Sequence, residues 1–178
     1  MYFSDKVGKD RRFSNPWWTI TPAAAVDVIG FFQQIADDNG FSCEREETSI
    51  TIEVTVVNLP IVISFYWDTA SRNYLSTCYI MSEKILPHRR KEVVELIMLV
   101  NAMLPAGHFE IYPQEQTVLY RHALVLPVNV VPSIEQCGAL FQEALEASQY
   151  CPAFSLAIAG KSAREAVDLC MFETIGEA

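Results

Sequence analysis

The chain has 178 residues, 51% of them hydrophobic, which is the size and apolar content of one domain with a substantial core. Its 13 Lys and Arg are outnumbered by 22 Asp and Glu, a net charge of −9, and an anionic surface repels a phosphate backbone, so nucleic acid is not an expected partner. Five cysteines, Cys43, Cys78, Cys137, Cys151 and Cys170, are odd in number and lack CxxC spacing, which argues against a disulfide framework and a zinc site and for a reducing compartment.

The charge is uneven. The first twelve residues carry +2 and the remainder −11. Residues 1–20 hold Gly8, Asn15 and Pro16 with no period of either kind and are expected to form a flexible or strand-like arm ahead of a single domain over residues 21–178. Trp17 and Trp18 would either pin this arm to its own domain or form a binding patch. Thr21-Pro22 reads as a helix start, with Thr as N-cap and Pro at the first helical position. Val28, Phe31, Phe32 and Ile35 follow at helical spacing, and Asn39-Gly40 closes the helix. From Phe41 the period becomes two: Ile50, Ile52, Val54 and Val56 alternate with Thr51, Glu53 and Thr55, and Asn58-Leu59-Pro60 breaks the run. Ile61–Trp67 and Tyr74–Met81 are two more strands joined by a polar turn, and the short connections predict an antiparallel meander.

Pro87 opens a second helix with the apolar stripe Val93, Ile97, Val100 and Leu104, widened by Leu96 and Met103. His88, Arg89, Arg90 and Lys91 crowd its first turn, where cations oppose the helix dipole. They would answer an acidic neighbour or remain solvated. The stretch Val93–Leu104, broken by Glu95 and Asn101, is far too short to cross a bilayer, so a cytoplasmic protein with no membrane partner is expected. Phe109–Tyr112 and Thr117–Leu126 form a hairpin around Pro113–Gln116. Ser133 with Gln136 and Ser162 with Glu165 are capping-box pairs that start two further helices. Pro152 should kink or divide the first of these, and Gly160 should end it.

This order, together with Gly-His-Phe-Glu-Ile-Tyr at Gly107–Tyr112, Tyr-Arg-His-Ala-Leu at Tyr120–Leu124, Tyr-Cys-Pro-Ala-Phe at Tyr150–Phe154 and Glu-Thr-Ile-Gly-Glu-Ala at Glu173–Ala178, resembles the YbjN-domain family of bacterial sensory transduction regulators. The likeness runs from about Ala23 to the end. It departs at Ala159, where an aromatic is expected before the glycine, and the N-terminal arm has no counterpart. The resemblance implies an α+β fold like that of type III secretion chaperones, small acidic dimers that hold extended client segments.

The residues themselves supply no catalytic constellation. There is no GxSxG elbow, no activated thiol spacing, and no GxGxxG or GxxxxGK[ST] phosphate loop. His108 and His122 lie on the two strands of the predicted hairpin and would approach one another, with Arg121 on the opposite face of its strand from His122. Two imidazoles without a third ligand do not make a zinc site, so neither metal nor cofactor is expected. Arg121, in an otherwise apolar strand, requires a planar acceptor, which Glu110 or Glu173 would provide if it is not a ligand contact. The leading expectation is a non-enzymatic homodimer that binds another protein in a regulatory or chaperone-like role. The alternative is a small-molecule sensor or enzyme with a pocket around His108, Arg121 and His122.

Overall fold

Alternation of Ile50, Ile52 and Val54 with polar residues directs three apolar side chains to one side of a strand, and in the computed structural model all three are buried. The structure describes residues 27–56, 58–68 and 73–175, with side chains as far as Cys170. Helix α1 (Val28–Asn39) precedes strands β1 (Ser42–Arg45), β2 (Ser49–Val56), β3 (Leu59–Asp68) and β4 (Tyr74–Ile80). Helix α2 (Arg90–Asn101), strands β5 (His108–Tyr112) and β6 (Thr117–Val125), and helices α3 (Ile134–Ser148), α4 (Cys151–Ala159) and α5 (Ala163–Ile175) follow. The fold is α+β, with one antiparallel sheet of order β1-β2-β3-β4-β6-β5.

The simple meander stops at β4. Its next neighbour is β6, and β5 lies outside β6 at the edge. Asn101, the last residue of α2, explains the placement. Its side-chain amide donates to the Phe109 carbonyl at 3.0 Å and its carbonyl accepts the Phe109 N–H at 2.7 Å, so the strand after α2 is tied to the helix on its outer side.

The buried face of the sheet carries two aromatic groups. Phe65 of β3 stacks on Phe32 of α1 at 4.1 Å and lies 5.7 Å from Phe141 of α3. Phe109 of β5 packs 5.3 Å from Tyr120 of β6 and 4.7 Å from Phe154 of α4, and Tyr79 of β4 stacks on Tyr120 at 5.0 Å. Aromatic pairs at these separations add to the area they bury.

Thr21, Pro22, Trp17 and Trp18 lie outside the described residues, as does the rest of the arm. The N-cap of α1 is Asp27, six residues after the expected start; its carboxylate accepts the Gly30 N–H at 2.8 Å and both nitrogen bonds of one Arg45 amino group at 2.8 and 3.0 Å. These bonds, from Arg45 first and Gly30 second, hold the Asp27 carboxyl below its ordinary value of 3.8. A depressed folded value contributes stability above the unfolded value and loses it as pH falls through the folded one. Asp27→Ala is therefore expected to cost about 1 kcal/mol at neutral pH, the usual worth of a cap, and the gap to wild type should narrow in acid, as read from urea melts at the two conditions.

Pro152 divides the helical segment as expected: α3 ends at Ser148 and α4 starts at Cys151 with Pro in its first turn. Both capping boxes form, Ser133 with Gln136 and Ser162 with Glu165. Among the described residues, the basic first turn of the second helix answers no acidic neighbour at Arg89. Its guanidinium donates to the Ala157 carbonyl at 2.6 and 2.9 Å, a last-turn acceptor at the negative end of α4, and to the Lys161 carbonyl just beyond the helix. One turn on, Glu92 accepts the Ala163 N–H at 3.1 Å and caps the start of α5.

Candidate functional site: the open face of the sheet

Residues that alternate with the buried set form the other face. Its centre is Val62, Tyr66, Ile80 and Val125, each between 43% and 73% exposed, with Tyr74, Ser76 and Cys78 half-buried between them. The Tyr66 and Tyr74 rings lie 6.4 Å apart. A broad depression of about 680 Å³ runs between β4 and β6, lined by Tyr74, Ser76, Cys78, Arg121, Ala123 and Val125.

Cross-strand neighbours share a face. The register pairs His108 with Arg121 and Thr77 with His122, so His108 and Arg121 are on the open face and His122 is on the helix-covered one. The expected approach of the two histidines does not occur: they lie on opposite faces of the sheet, so His122 does not share a pocket with His108 and Arg121 among the described residues. Glu110 instead joins the two open-face residues, 3.0 Å from Arg121 and 3.9 Å from His108. His122 Nδ1 lies 2.8 Å from a Glu143 carboxylate oxygen, an ion-pair distance at which the ring N–H is not aligned as a hydrogen bond. That contact joins the sheet to α3.

The Arg121 carboxylate partner is thus Glu110, but the guanidinium is 54% exposed, not buried. An exposed pair is worth about 0–1 kcal/mol. Arg121→Ala is accordingly expected to leave the melting midpoint nearly unchanged, and a thermal melt checks it.

A second feature opens beside this face. The β3–β4 ladder ends at Ser64↔Cys78, although β3 begins at Leu59 and β4 runs to Ile80. The Met81 N–H donates to Val118 on β6 and the Trp67 N–H to Thr48 on the β2 side. Alternation along each strand then turns the backbone groups of Ile80 and Val62 toward one another across the gap, where no rung joins them. Pro60, expected to break the strand, is inside β3 and pairs with Thr55; what it lacks is an N–H on the β4 side, where it would have extended the missing ladder. The resulting fork encloses about 190 Å³, lined by Leu59–Val62, Tyr79–Glu83 and Cys151.

Sequence reasoning missed these fork residues. Tyr79 and Ile80 sit in an ordinary strand pattern, and Cys151 reads as a buried small residue. Among the described residues no group of three or more His, Cys, Asp or Glu is placed to hold a metal ion, and no helix is long and apolar enough to cross a membrane.

The model of one protein family, described as "Putative bacterial sensory transduction regulator", matches residues 32–154. The match includes three of the four segments that carry the resemblance and stops before Glu173–Ala178. No curated protein and no solved structure matches the chain.

Proposed function

The chain belongs to that family, YbjN, and from this membership we propose that it is a non-catalytic cytoplasmic regulator that binds another polypeptide across the open face of its sheet. The observation that carries the reading is the make-up of that face. Exposed Val62, Tyr66, Ile80 and Val125 surround small side chains, and the Glu110 cluster with His108 and Arg121 stands to one side. Aromatic and aliphatic residues at the centre with charge at the rim are the composition of a protein interface. Binding of this kind requires no reactive residue.

The same face and the exposed Val94, Met98 and Met103 on and just after α2 support a homodimer as the working form. Light scattering coupled to gel filtration tests that part, and a concentration-independent mass near 20.1 kDa overturns it. The partner is tested by crosslinking and recovery from a bacterial lysate with wild type and with Tyr66→Glu/Val125→Glu. The reading requires one specific protein that wild type recovers and the charged variant loses. Recovery of the same protein by both would move the interface off this face.

A further inference from the structure

We propose that the basic corner where α2 begins and α4 turns into α5 is a docking surface for an acidic polypeptide segment, one whose carboxylates are spaced by apolar residues. The site is separate from the open face of the sheet and does not rest on the reading given to that face.

The position of the cations is the first observation. Of the eight Lys and Arg whose side chains are described, six gather here: Lys84, Arg89, Arg90, Lys91, Lys161 and Arg164. Three contacts bring their segments together. Arg89 reaches the Ala157 and Lys161 carbonyls, Glu92 of α2 accepts the Ala163 N–H at the start of α5, and Ser155 of α4 donates to Glu83, the neighbour of Lys84, at 2.6 Å.

The second observation is what these cations lack. Arg45 and Arg121, the two outside the corner, each sit on a carboxylate, Asp27 at 2.8 Å and Glu110 at 3.0 Å. Among the described residues none of the six forms such a pair, although the chain has 22 Asp and Glu. The carboxylates nearest to them are engaged elsewhere: Glu83 accepts from Ser82 and Ser155, Glu92 from the Ala163 N–H, and Glu165 from the Ser162 N–H and hydroxyl. Arg89 is spent on carbonyls and Arg90 on the Gln116 side chain. Lys84, Lys91, Lys161 and Arg164 are exposed, and their side chains have no hydrogen bond or ion pair among the described residues. Arg90 and Lys91 also oppose the dipole of α2, so helix stability does not account for them.

The mixture of charges selects the kind of anion. Glu83, Glu92 and Glu165 lie among the cations, and Glu95 and Asp168 stand about one turn farther along α2 and α5. A phosphate backbone or a sheet of anionic headgroups presents unbroken negative charge and would set part of it against these carboxylates. A peptide with separated carboxylates meets the cations one at a time. Leu86, 52% exposed between Lys84 and His88, then gives its apolar residues a contact that a phosphate chain does not use.

The acidic remainder of the chain does not cancel this field. Asp37, Asp38, Glu44, Glu46 and Glu47 lie at the end of α1 and around β1, whereas α2 packs on β5 at the opposite rim of the sheet. Five strand spacings amount to about 24 Å, roughly three Debye lengths at physiological salt.

The probe is a fluorescein-labelled peptide, Glu-Asp-Leu repeated four times, titrated into the full chain and read by anisotropy. Saturable binding is expected, and Lys84→Glu/Lys91→Glu/Arg164→Glu should weaken it at least about tenfold, the combined size of three exposed charge pairs. The variant keeps Arg89, and its two helical substitutions put acid in first turns, where the dipole favours it, so its melt should match the parent. A Gln-Asn-Leu repeat, the same shape without charge, should also bind at least about tenfold more weakly. The acidic peptide with its eight carboxylates in one block and its four leucines in another should lose about threefold or more, the size of one such pair. Equal binding of the uncharged repeat, of the block peptide, or of a triple variant that remains folded would overturn the proposal. Vesicles rich in phosphatidylserine that bind wild type but not the triple variant, with the peptide left unbound, would make the corner a membrane contact instead. Tyr66→Glu/Val125→Glu should leave peptide affinity unchanged, and a loss there would move the site to the open face. Failure to recover a partner through the open face, with peptide binding at the corner retained, would refute the reading of that face alone.

Discussion

Gly107→Ala is expected to lower the unfolding free energy by about 3 kcal/mol, a large share of the margin of a domain this size. Two costs combine. Gly107 has φ +68°, a left-handed conformation that side chains rarely adopt, and a Cβ built there would lie 2.3 Å from the Tyr120 hydroxyl oxygen and 2.6 to 2.8 Å from two carbons of its ring. Tyr120 is fully buried between Tyr79 and Phe109 and has no open space to move into. Tyr120→Phe alone removes a buried hydroxyl that has no partner, so it should change stability little. Combined with Gly107→Ala it should recover part of the loss, since the closest overlap disappears while the ring overlaps and the backbone cost remain. Denaturant melts of the two single variants and the double variant give the coupling directly. Additive losses would show that the clash is relieved by movement of the backbone instead.

The second large effect is expected at Arg89. Arg89→Met keeps most of the aliphatic stem and removes the guanidinium, which leaves the carbonyls of Ala157 and Lys161 without their donor. Hydrogen bonds from a charged donor contribute about 1.5–3 kcal/mol, and a loss of about 2 kcal/mol in a urea melt is the expected result. Arg90→Met serves as the control. Its guanidinium donates to the exposed Gln116 side chain at 3.1 Å, so it should cost less than about 0.5 kcal/mol. Equal losses would mean that the helix-end carbonyls find water when Arg89 is gone.

Much of this fold was legible because the physics is local. Ile50, Ile52 and Val54 announce a strand with one buried side, Pro152 cannot continue α3, and the Ser133 and Ser162 boxes need only residues three apart. The order of β5 and β6 was not legible, because Asn101 of α2 sets it across eight residues of chain, and no residue type advertises that contact. The separation of His108 from His122 was available from the turn. A loop at Pro113–Gln116 pairs Tyr112 with Thr117, hence His108 with Arg121, and puts His122 on the other face. The role of Arg89 was hidden for another reason: its acceptors are backbone carbonyls at the end of a distant helix, and carbonyls leave no trace in a sequence. The fork is half legible, through Pro60, whereas the burial of the Tyr79 hydroxyl depends on what α4 brings beside it.

The Asn101 clamp has a consequence for assembly. The two rims of the sheet are unequal: the outward N–H and C=O of Phe109 are already bonded, while β1, at the opposite rim, has no strand beyond it among the described residues. An incoming strand cannot pair at Phe109 while Asn101 holds it, so head-to-tail addition at this rim would first have to release the clamp. Two copies joined rim to rim through β1 would be related by a twofold axis, each strand pairing with its own copy. Further growth would have to begin at the clamped rims.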